Sequence, residues 1–176
     1  TRDIPYRLFV NFGSSSEYGR SKKPMSESDL PDPTTCYAAS KVAATMLGKY
    51  ISNVYHKPIV TVRPFSVYGP GEADFRFIPT VIQCLEEGKE ITLDPLPVHD
   101  WIYIDDFING ILTVMEHPKE VAGKIVNIGT GLHVTNADIV ATIQFLMGKK
   151  TTILEVPRMR SYDSSSWRAD NRFLKS

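Results

Sequence analysis

Apolar positions along the chain fall into short continuous runs and longer stretches with helical spacing. The continuous runs predict β-strands over residues 7–12, 59–62, 91–93, 100–104, 124–128 and 152–156. The helical spacing predicts helices over residues 35–55, 77–87, 106–115 and 135–147. Because the strands and helices alternate, the pattern predicts an α/β fold with a parallel sheet.

Capping signals refine three of the predicted helix ends. Gly88 follows the helix over 77–87 and is typical of a C-cap. Either Asp105 or Asp106 is expected to be the N-cap of the next helix. Thr135 followed three residues later by Asp138 resembles a capping box, with Asp in place of the usual Glu or Gln.

Composition narrows the class of protein. The chain has 176 residues, 42% hydrophobic and 23% charged, with a formal net charge of zero, which indicates a globular domain without a nucleic-acid partner. No apolar run approaches the ~20 residues of a membrane span, and no signal peptide is evident. Cys36 and Cys84 are isolated and the four histidines are scattered. We therefore expect no metal site and a cytoplasmic location.

The strongest candidate for acid–base chemistry is the pair Tyr37 and Lys41. Residues four apart share a helix face, and a lysine ammonium beside a phenol favours the phenolate form. Tyr18 and Lys22 have the same spacing, but the nearby Gly19 and Pro24 indicate a loop there. Only the pair at Tyr37 has a predicted helix to hold it.

Two loops follow predicted strands at the edge where parallel sheets bind ligands. Ser14–Ser16 come after the first strand and are either substrate-binding hydroxyls or a turn that caps the strand. The segment 63–71, rich in Pro and Gly, is either a close approach to a ligand or a plain turn.

Taken in order, these stretches resemble the extended short-chain dehydrogenase/reductase family, in particular its NAD-dependent nucleotide-sugar epimerases and dehydratases. The matching motifs span nearly the whole chain and lie at residues 14–19, 37–41, 63–71, 100–106 and 127–131. The resemblance implies that the sugar C4 hydroxyl is oxidised to a ketone by hydride transfer to NAD. Epimerisation or loss of water would follow.

The resemblance also implies roles for individual residues. Tyr37 looks like the catalytic acid–base group, and Lys41 looks like the residue that favours its ionised form and holds the nicotinamide ribose. Ser15 looks like the hydroxyl that binds the reacting sugar oxygen. Phe65 and Val67 stand where the family packs against the nicotinamide.

Departures from the family pattern affect the substrate side. The substrate-binding positions implied by the resemblance are Ser15, Ser16, Ser66, Arg76, His99 and Arg160. Ser66 stands where the family usually has Asn, and His99 where it often has a phosphate-binding Arg. Glu17 runs directly into Tyr18, one residue short of the family motif, so Ser14 is the alternative to Ser15.

The glycine-rich dinucleotide fingerprint of the family is absent from the sequence. We therefore expect a fragment: a partial Rossmann-like parallel sheet without its N-terminal half, with a small α/β substrate-binding region. Residues 1–70 and 100–131 are assigned to the Rossmann-like part, and residues 71–99 and 132–176 to the substrate-binding region. We also expect weak or no binding of NAD (or NADP), and an open sheet edge that pairs with a second copy as a homodimer.

Three functions remain open on the sequence. The first is the catalytic half of a nucleotide-sugar epimerase or dehydratase that acts without nucleic acid or membrane partners. The second is a truncated, non-catalytic binding or assembly module, which the missing fingerprint favours. The third is an NAD(P)-dependent reductase of a non-nucleotide carbonyl substrate, which His99 allows.

Overall fold

The computed structural model describes residues 4–156 and 166–175. Its strands are β1 (Phe9–Phe12), β2 (Ile59–Pro64), β3 (Ser66–Tyr68), β4 (Ile91–Leu93), β5 (Val98–His99), β6 (Trp101–Tyr103), β7 (Ile125–Ile128), β8 (Val134–Thr135) and β9 (Ile153–Glu155). Its helices are α1 (Cys36–Tyr55), α2 (Phe77–Glu87), α3 (Ile104–Glu116), α4 (Pro118–Val121), α5 (Asn136–Met147) and α6 (Arg172–Lys175), with a 3-10 turn over Ser15–Tyr18. Each element predicted from the apolar pattern forms close to its expected place, which confirms the α/β class.

Strands β1, β2 and β7 form a parallel sheet in the order β1–β2–β7. The central strand β2 is buried from Ile59 to Arg63, because neighbours cover both of its sides and helices cover its faces. Strand β1 lies at the edge, and no strand of the described residues pairs with its outer side. Its end residues Phe9 and Phe12 are 44% and 47% exposed.

Helix α1 packs on this sheet through small residues. Its buried positions are Ala38, Thr45, Gly48 and Ser52. A Cβ added to Gly48 would already lie 3.4 Å from Cγ2 of Ile59, so the helix approaches β2 closely. The apolar stripe that predicts the helix faces the other way. Its large residues are between 41% and 59% exposed: Met46, Leu47, Tyr50 and Val54.

The apolar core is divided into separate clusters. The first lies between the main sheet and α3 and includes Val60, Val62, Ile102, Phe107, Val114, Val126 and Ile128. The second joins α2, β4 and α5 through Val81, Leu85, Ile91, Leu93 and Val140. The third is smaller and gathers Tyr18, Met25, Phe65 and Ala169 near the carboxyl end of β1. Parallel pairing of β3 with β6 and of β4 with β9 completes the framework around them.

The helix caps agree with two of the three expectations. Gly88 ends α2 with φ of 68°, in the left-handed conformation that favours glycine. Thr135 and Asp138 form the predicted capping box at the start of α5. The expectation that Asp105 or Asp106 caps α3 is wrong. The helix begins earlier, at Ile104, and both carboxylates lie in its first turn, where they face the positive end of the helix dipole.

No helix in the described part of the chain combines the length and apolarity needed to cross a bilayer.

Candidate active site

The first turn of α1 carries the tyrosine and the lysine. Thr35 caps the helix, and its hydroxyl accepts a hydrogen bond from the N–H of Ala38 at 3.1 Å. Tyr37 lies in the first turn and is 58% exposed, so its side chain can reach a ligand. Lys41 lies one turn further, with its Nζ atom 5.7 Å from the centre of the Tyr37 ring.

Lys41 also joins this turn to the main sheet. Its Nζ atom donates a hydrogen bond to the backbone oxygen of Phe12, the last residue of β1, at 2.9 Å. The Tyr37 turn therefore lies at the carboxyl end of β1, where parallel sheets bind ligands. Ser14–Ser16 follow Phe12 after a single glycine, so the serine loop begins at the same strand end.

The three serines of this loop have different hydrogen bonds. Ser14 caps the 3-10 turn, and its Oγ accepts from the N–H of Ser16 at 3.1 Å and from the hydroxyl of Ser16 at 2.8 Å. Ser15 Oγ accepts instead from Nε1 of Trp167 at 3.1 Å. Ser14 therefore supports the loop itself, while Ser15 contacts a distant part of the chain.

Glu17 holds the serine loop on the sheet through a buried ion pair. Its Oε2 accepts from Nη2 of Arg63 at 2.7 Å, and the two side chains are 0% and 1% exposed. Its Oε1 accepts from the N–H of Ser14 at 2.9 Å and from the hydroxyl of Thr45 at 3.0 Å. Glu17 thus ties β2, α1 and the start of the serine loop together. The carboxylate has no access to a ligand.

Tyr18 is a structural residue. Its hydroxyl donates to Oδ1 of Asn127 at 2.7 Å, and Arg63 lies 4.3 Å from the centre of its ring. Burial raises the pKa of Tyr18 to about 12, although Arg63 and the hydrogen bond to Asn127 act against the rise. The phenol therefore stays neutral, and the alternative pair Tyr18 and Lys22 offers no acid–base group.

The two residues expected at the nicotinamide are largely covered. Phe65 is 6% exposed and belongs to the third core cluster. Val67 is partly buried and packs against the first cluster. Their contact with a nicotinamide stays a prediction.

The remaining substrate positions are only partly brought together. Ser66 Oγ lies 3.5 Å from Nδ1 of His99, and the His99 ring packs against Trp101 and Trp167. Arg76 stands apart at the start of α2, where its Nε donates to Oε1 of Glu72 at 3.3 Å. Arg160 lies outside the described residues.

A family model provides the decisive comparison. Residues 1–129 match the model described as the NAD dependent epimerase/dehydratase family. The chain belongs to this family.

The chain spans about half or less of the length of the epimerases and dehydratases that it resembles. It is 29% identical to an uncharacterized UDP-glucose epimerase of Bacillus subtilis, over 94% of this chain and 53% of the relative. It is 31% identical to the human dTDP-D-glucose 4,6-dehydratase, over 72% of this chain and 37% of the relative. These family members include both epimerases and dehydratases, so the family alone leaves the outcome of the reaction open.

Solved structures of the family match the fold and carry NAD. The UDP-glucuronic acid 4-epimerase of Bacillus cereus, in complex with UDP-glucuronic acid and NAD, superposes with a TM-score of 0.90 at 28% identity. The match covers 99% of this chain and 56% of that epimerase. The fold is thus the Rossmann-like α/β fold of the epimerase/dehydratase family, in which NAD is the cofactor.

Sequence reasoning missed several residues that support the candidate site. Arg63 carried a signal, because a charge that ends a continuous apolar strand is expected to be buried and paired. Asp100 is fully buried and accepts hydrogen bonds from the N–H groups of Thr130, Gly131 and Ala169. Nothing in the sequence pattern indicates that Asp100 holds these two distant segments, or that Trp167 reaches Ser15.

Within 4–156 and 166–175, no group of three His, Cys, Asp or Glu side chains could hold a metal ion.

Proposed function

We propose that this chain carries the catalytic and substrate-binding side of an NAD-dependent nucleotide-sugar epimerase. The observation that carries the proposal is the position of Lys41, which contacts both the Tyr37 ring and the backbone oxygen of Phe12. This arrangement joins a phenol, a cation and the serine loop at the carboxyl end of one parallel strand. A phenol held beside a cation and open to solvent is suited to proton exchange with a sugar hydroxyl.

The side chains at this site fit the nicotinamide ribose of NAD. A lysine ammonium has three N–H donors, and Lys41 gives one of them to Phe12, which leaves two for the ribose hydroxyls. When bound, NAD would accept a hydride from the sugar C4 carbon and return it. Tyr37 would take the proton from the C4 hydroxyl as that hydride leaves, and would give a proton back when the ketone is reduced. Ser15 would donate a hydrogen bond to the same oxygen.

Burial of Glu17 favours epimerisation over dehydration. Loss of water from a 4-keto sugar needs a base that removes the proton beside the ketone, within hydrogen-bond reach of that carbon. Glu17 is the carboxylate of the serine loop, but it is 0% exposed and bound to Arg63, so it cannot act as that base. Epimerisation needs only that the 4-keto sugar rotates and presents its other face before the hydride returns. A reductase of a non-nucleotide carbonyl and a non-catalytic module gain no comparable support.

The apolar core clusters support an assignment of two parts of the chain to different roles. We assign residues 1–70 and 100–131 to the second half of a Rossmann-like domain, since they supply the main sheet and the first cluster. Residues 71–99 and 132–176 are assigned to substrate binding, since α2, β4 and α5 have a core of their own. A cytoplasmic location is consistent with the free cysteines Cys36 and Cys84, and cell fractionation tests it.

Calorimetric titration of residues 1–176 tests whether this chain binds the nucleotide sugar rather than NAD. We expect UDP-, dTDP-, CDP- or GDP-sugars to bind more tightly than NAD. The reason is that the sequence has no glycine-rich turn at the start of a helix to bind the pyrophosphate. Micromolar binding of NAD would contradict the cofactor part of this proposal. Failure of every nucleotide sugar to bind would contradict the assignment of the substrate side.

The open edge of β1 is proposed to pair with a second copy of the chain. Its outer N–H and C=O groups have no partner strand in residues 4–156 and 166–175, and Phe9 and Phe12 are exposed beside them. Size-exclusion chromatography with light scattering should give the mass of a homodimer. Phe9→Lys places a charge at this edge and is expected to give a monomer, whereas a monomeric unmodified chain would exclude the pairing.

A further inference from the structure

The indole of Trp167 contacts Ser15 across 152 positions of sequence. Nε1 of Trp167 donates a hydrogen bond to Oγ of Ser15 at 3.1 Å. Ser15 is only 6% exposed, and Trp167 packs against the third core cluster beside it. The contact is thus partly shielded from water. A shielded hydrogen bond fixes the geometry of its two groups more strongly than an exposed one.

The backbone around Trp167 is held firmly in place. The N–H of Met25 donates to the oxygen of Arg168 at 2.9 Å, and the N–H of Asp170 donates to the oxygen of Met25 at 2.8 Å. The N–H of Ala169 donates to Oδ2 of the buried Asp100 at 2.9 Å. These bonds anchor the three residues that follow Trp167, so the position of its indole is set by the fold.

The chemistry of the two groups decides what Ser15 can offer to a ligand. An indole N–H is only a donor, whereas a hydroxyl has one donor and two acceptor sites. Trp167 therefore occupies an acceptor site of Ser15 and leaves its proton available. In the part of the chain that the structure describes, the Ser15 hydroxyl donates no hydrogen bond, whereas the Ser16 hydroxyl donates to Ser14 at 2.8 Å.

We propose that Trp167 is a positioning residue that presents the Ser15 hydroxyl as a hydrogen-bond donor to the reacting oxygen of the substrate. The proposal rests on the role of Ser15 in the proposed epimerase reaction. The donated bond is needed most when the C4 oxygen becomes a ketone, because a ketone oxygen can only accept. By holding the hydroxyl oxygen from the other side, Trp167 keeps its proton directed at that site.

Nuclear magnetic resonance of the indole N–H groups tests the contact without any assay of activity. The chain has 2 tryptophans, so it gives two such signals, and Trp101→Phe removes one of them and thereby assigns the other. Nε1 of Trp101 is buried without a hydrogen-bond partner. We expect Ser15→Ala to shift the Trp167 signal upfield, with the Trp101 signal and the matched control Ser16→Ala unchanged. An unmoved Trp167 signal would overturn the proposal.

Steady-state kinetics of the whole protein test whether the contact between Trp167 and Ser15 affects the reaction rate. Trp167→Phe keeps an aromatic ring but removes the donor, so we expect kcat to fall about twofold to tenfold with an unchanged KM for the nucleotide sugar. In a Ser15→Ala background the same change should have no further effect, because its only target is gone. Equal losses in both backgrounds would show a general packing effect and overturn the proposal.

The outcomes separate this inference from the proposed function. If Ser15→Ala leaves kcat unchanged, the assigned role of Ser15 fails, and the role of Trp167 fails with it. If Ser15→Ala lowers kcat but Trp167→Phe does not, only the role of Trp167 fails. If Trp167→Phe does not fold, the indole signal of the Ser15→Ala protein decides by itself.

Discussion

Tyr37→Phe is expected to lower kcat of the whole protein by about 10²–10⁴-fold, the usual contribution of a general acid–base group. The phenylalanine ring keeps the shape of the side chain but cannot exchange a proton with the sugar C4 hydroxyl. Tyr37 is 58% exposed at the start of α1, so the loss of its hydroxyl should not disturb packing. Binding of the nucleotide sugar should change little, because the hydroxyl acts mainly in the transition state.

Product analysis gives the measurement and its control. With the unchanged whole protein and a saturating concentration of NAD, incubation of a nucleotide sugar should give the C4 epimer, with no product that has lost water. Tyr50→Phe is the matched control, since Tyr50 lies on the outward face of the same helix and is 52% exposed. Turnover that survives in Tyr37→Phe would remove Tyr37 from its assigned role. A dehydrated product would contradict the preference for epimerisation drawn from Glu17.

Arg63→Met should destabilise the fold by about 3–5 kcal/mol, because it leaves the carboxylate of Glu17 buried without a counter-charge. Arg63 is 1% exposed and Glu17 is 0% exposed, so water cannot replace the lost partner. The free energy of unfolding, from urea titration followed by circular dichroism, measures the effect. A typical domain is stable by only about 5–15 kcal/mol, so the loss is large.

Three further variants make this stability experiment decisive. Lys89→Met removes the partner of Glu87 in a pair whose side chains are 69% and 38% exposed, and an exposed pair contributes little to stability. The double variant Glu17→Gln with Arg63→Met should recover much of the loss, because no buried charge remains. If Arg63→Met costs no more than Lys89→Met, the buried pair does not hold the serine loop. Should Arg63→Met not fold at all, Thr45→Val removes one donor to Glu17 and is expected to cost about 1–3 kcal/mol.

The sequence was sufficient for the longer elements of this protein, but it did not predict the short strands β3, β5 and β8 or the short helices α4 and α6. Continuous apolar runs predicted the strands, and α2 forms over the predicted residues because its helical spacing ends at Gly88. The expected N-cap of α3 was wrong because a cap depends on where the backbone turns, and this helix begins at Ile104, ahead of both aspartates. Local residue types constrain such a boundary only weakly.

The apolar stripe on α1 shows a limit of periodic patterns. Spacing correctly predicted a helix, but it could not tell which face lies on the sheet. The structure buries the small face through Ala38, Thr45 and Gly48, because close approach to β2 needs small residues there. Met46 and Leu47 remain exposed as a result.

The sequence by itself determined the α/β class and singled out the Tyr37–Lys41 pair, because apolar periodicity, caps and four-residue spacing are local properties. Only the tertiary structure decided which groups meet at the site. It attached Lys41 to the end of β1, removed Glu17 from reach through Arg63, and placed Trp167 against Ser15. Contacts between residues far apart in sequence depend on how strands pair and helices pack, and no local pattern records them.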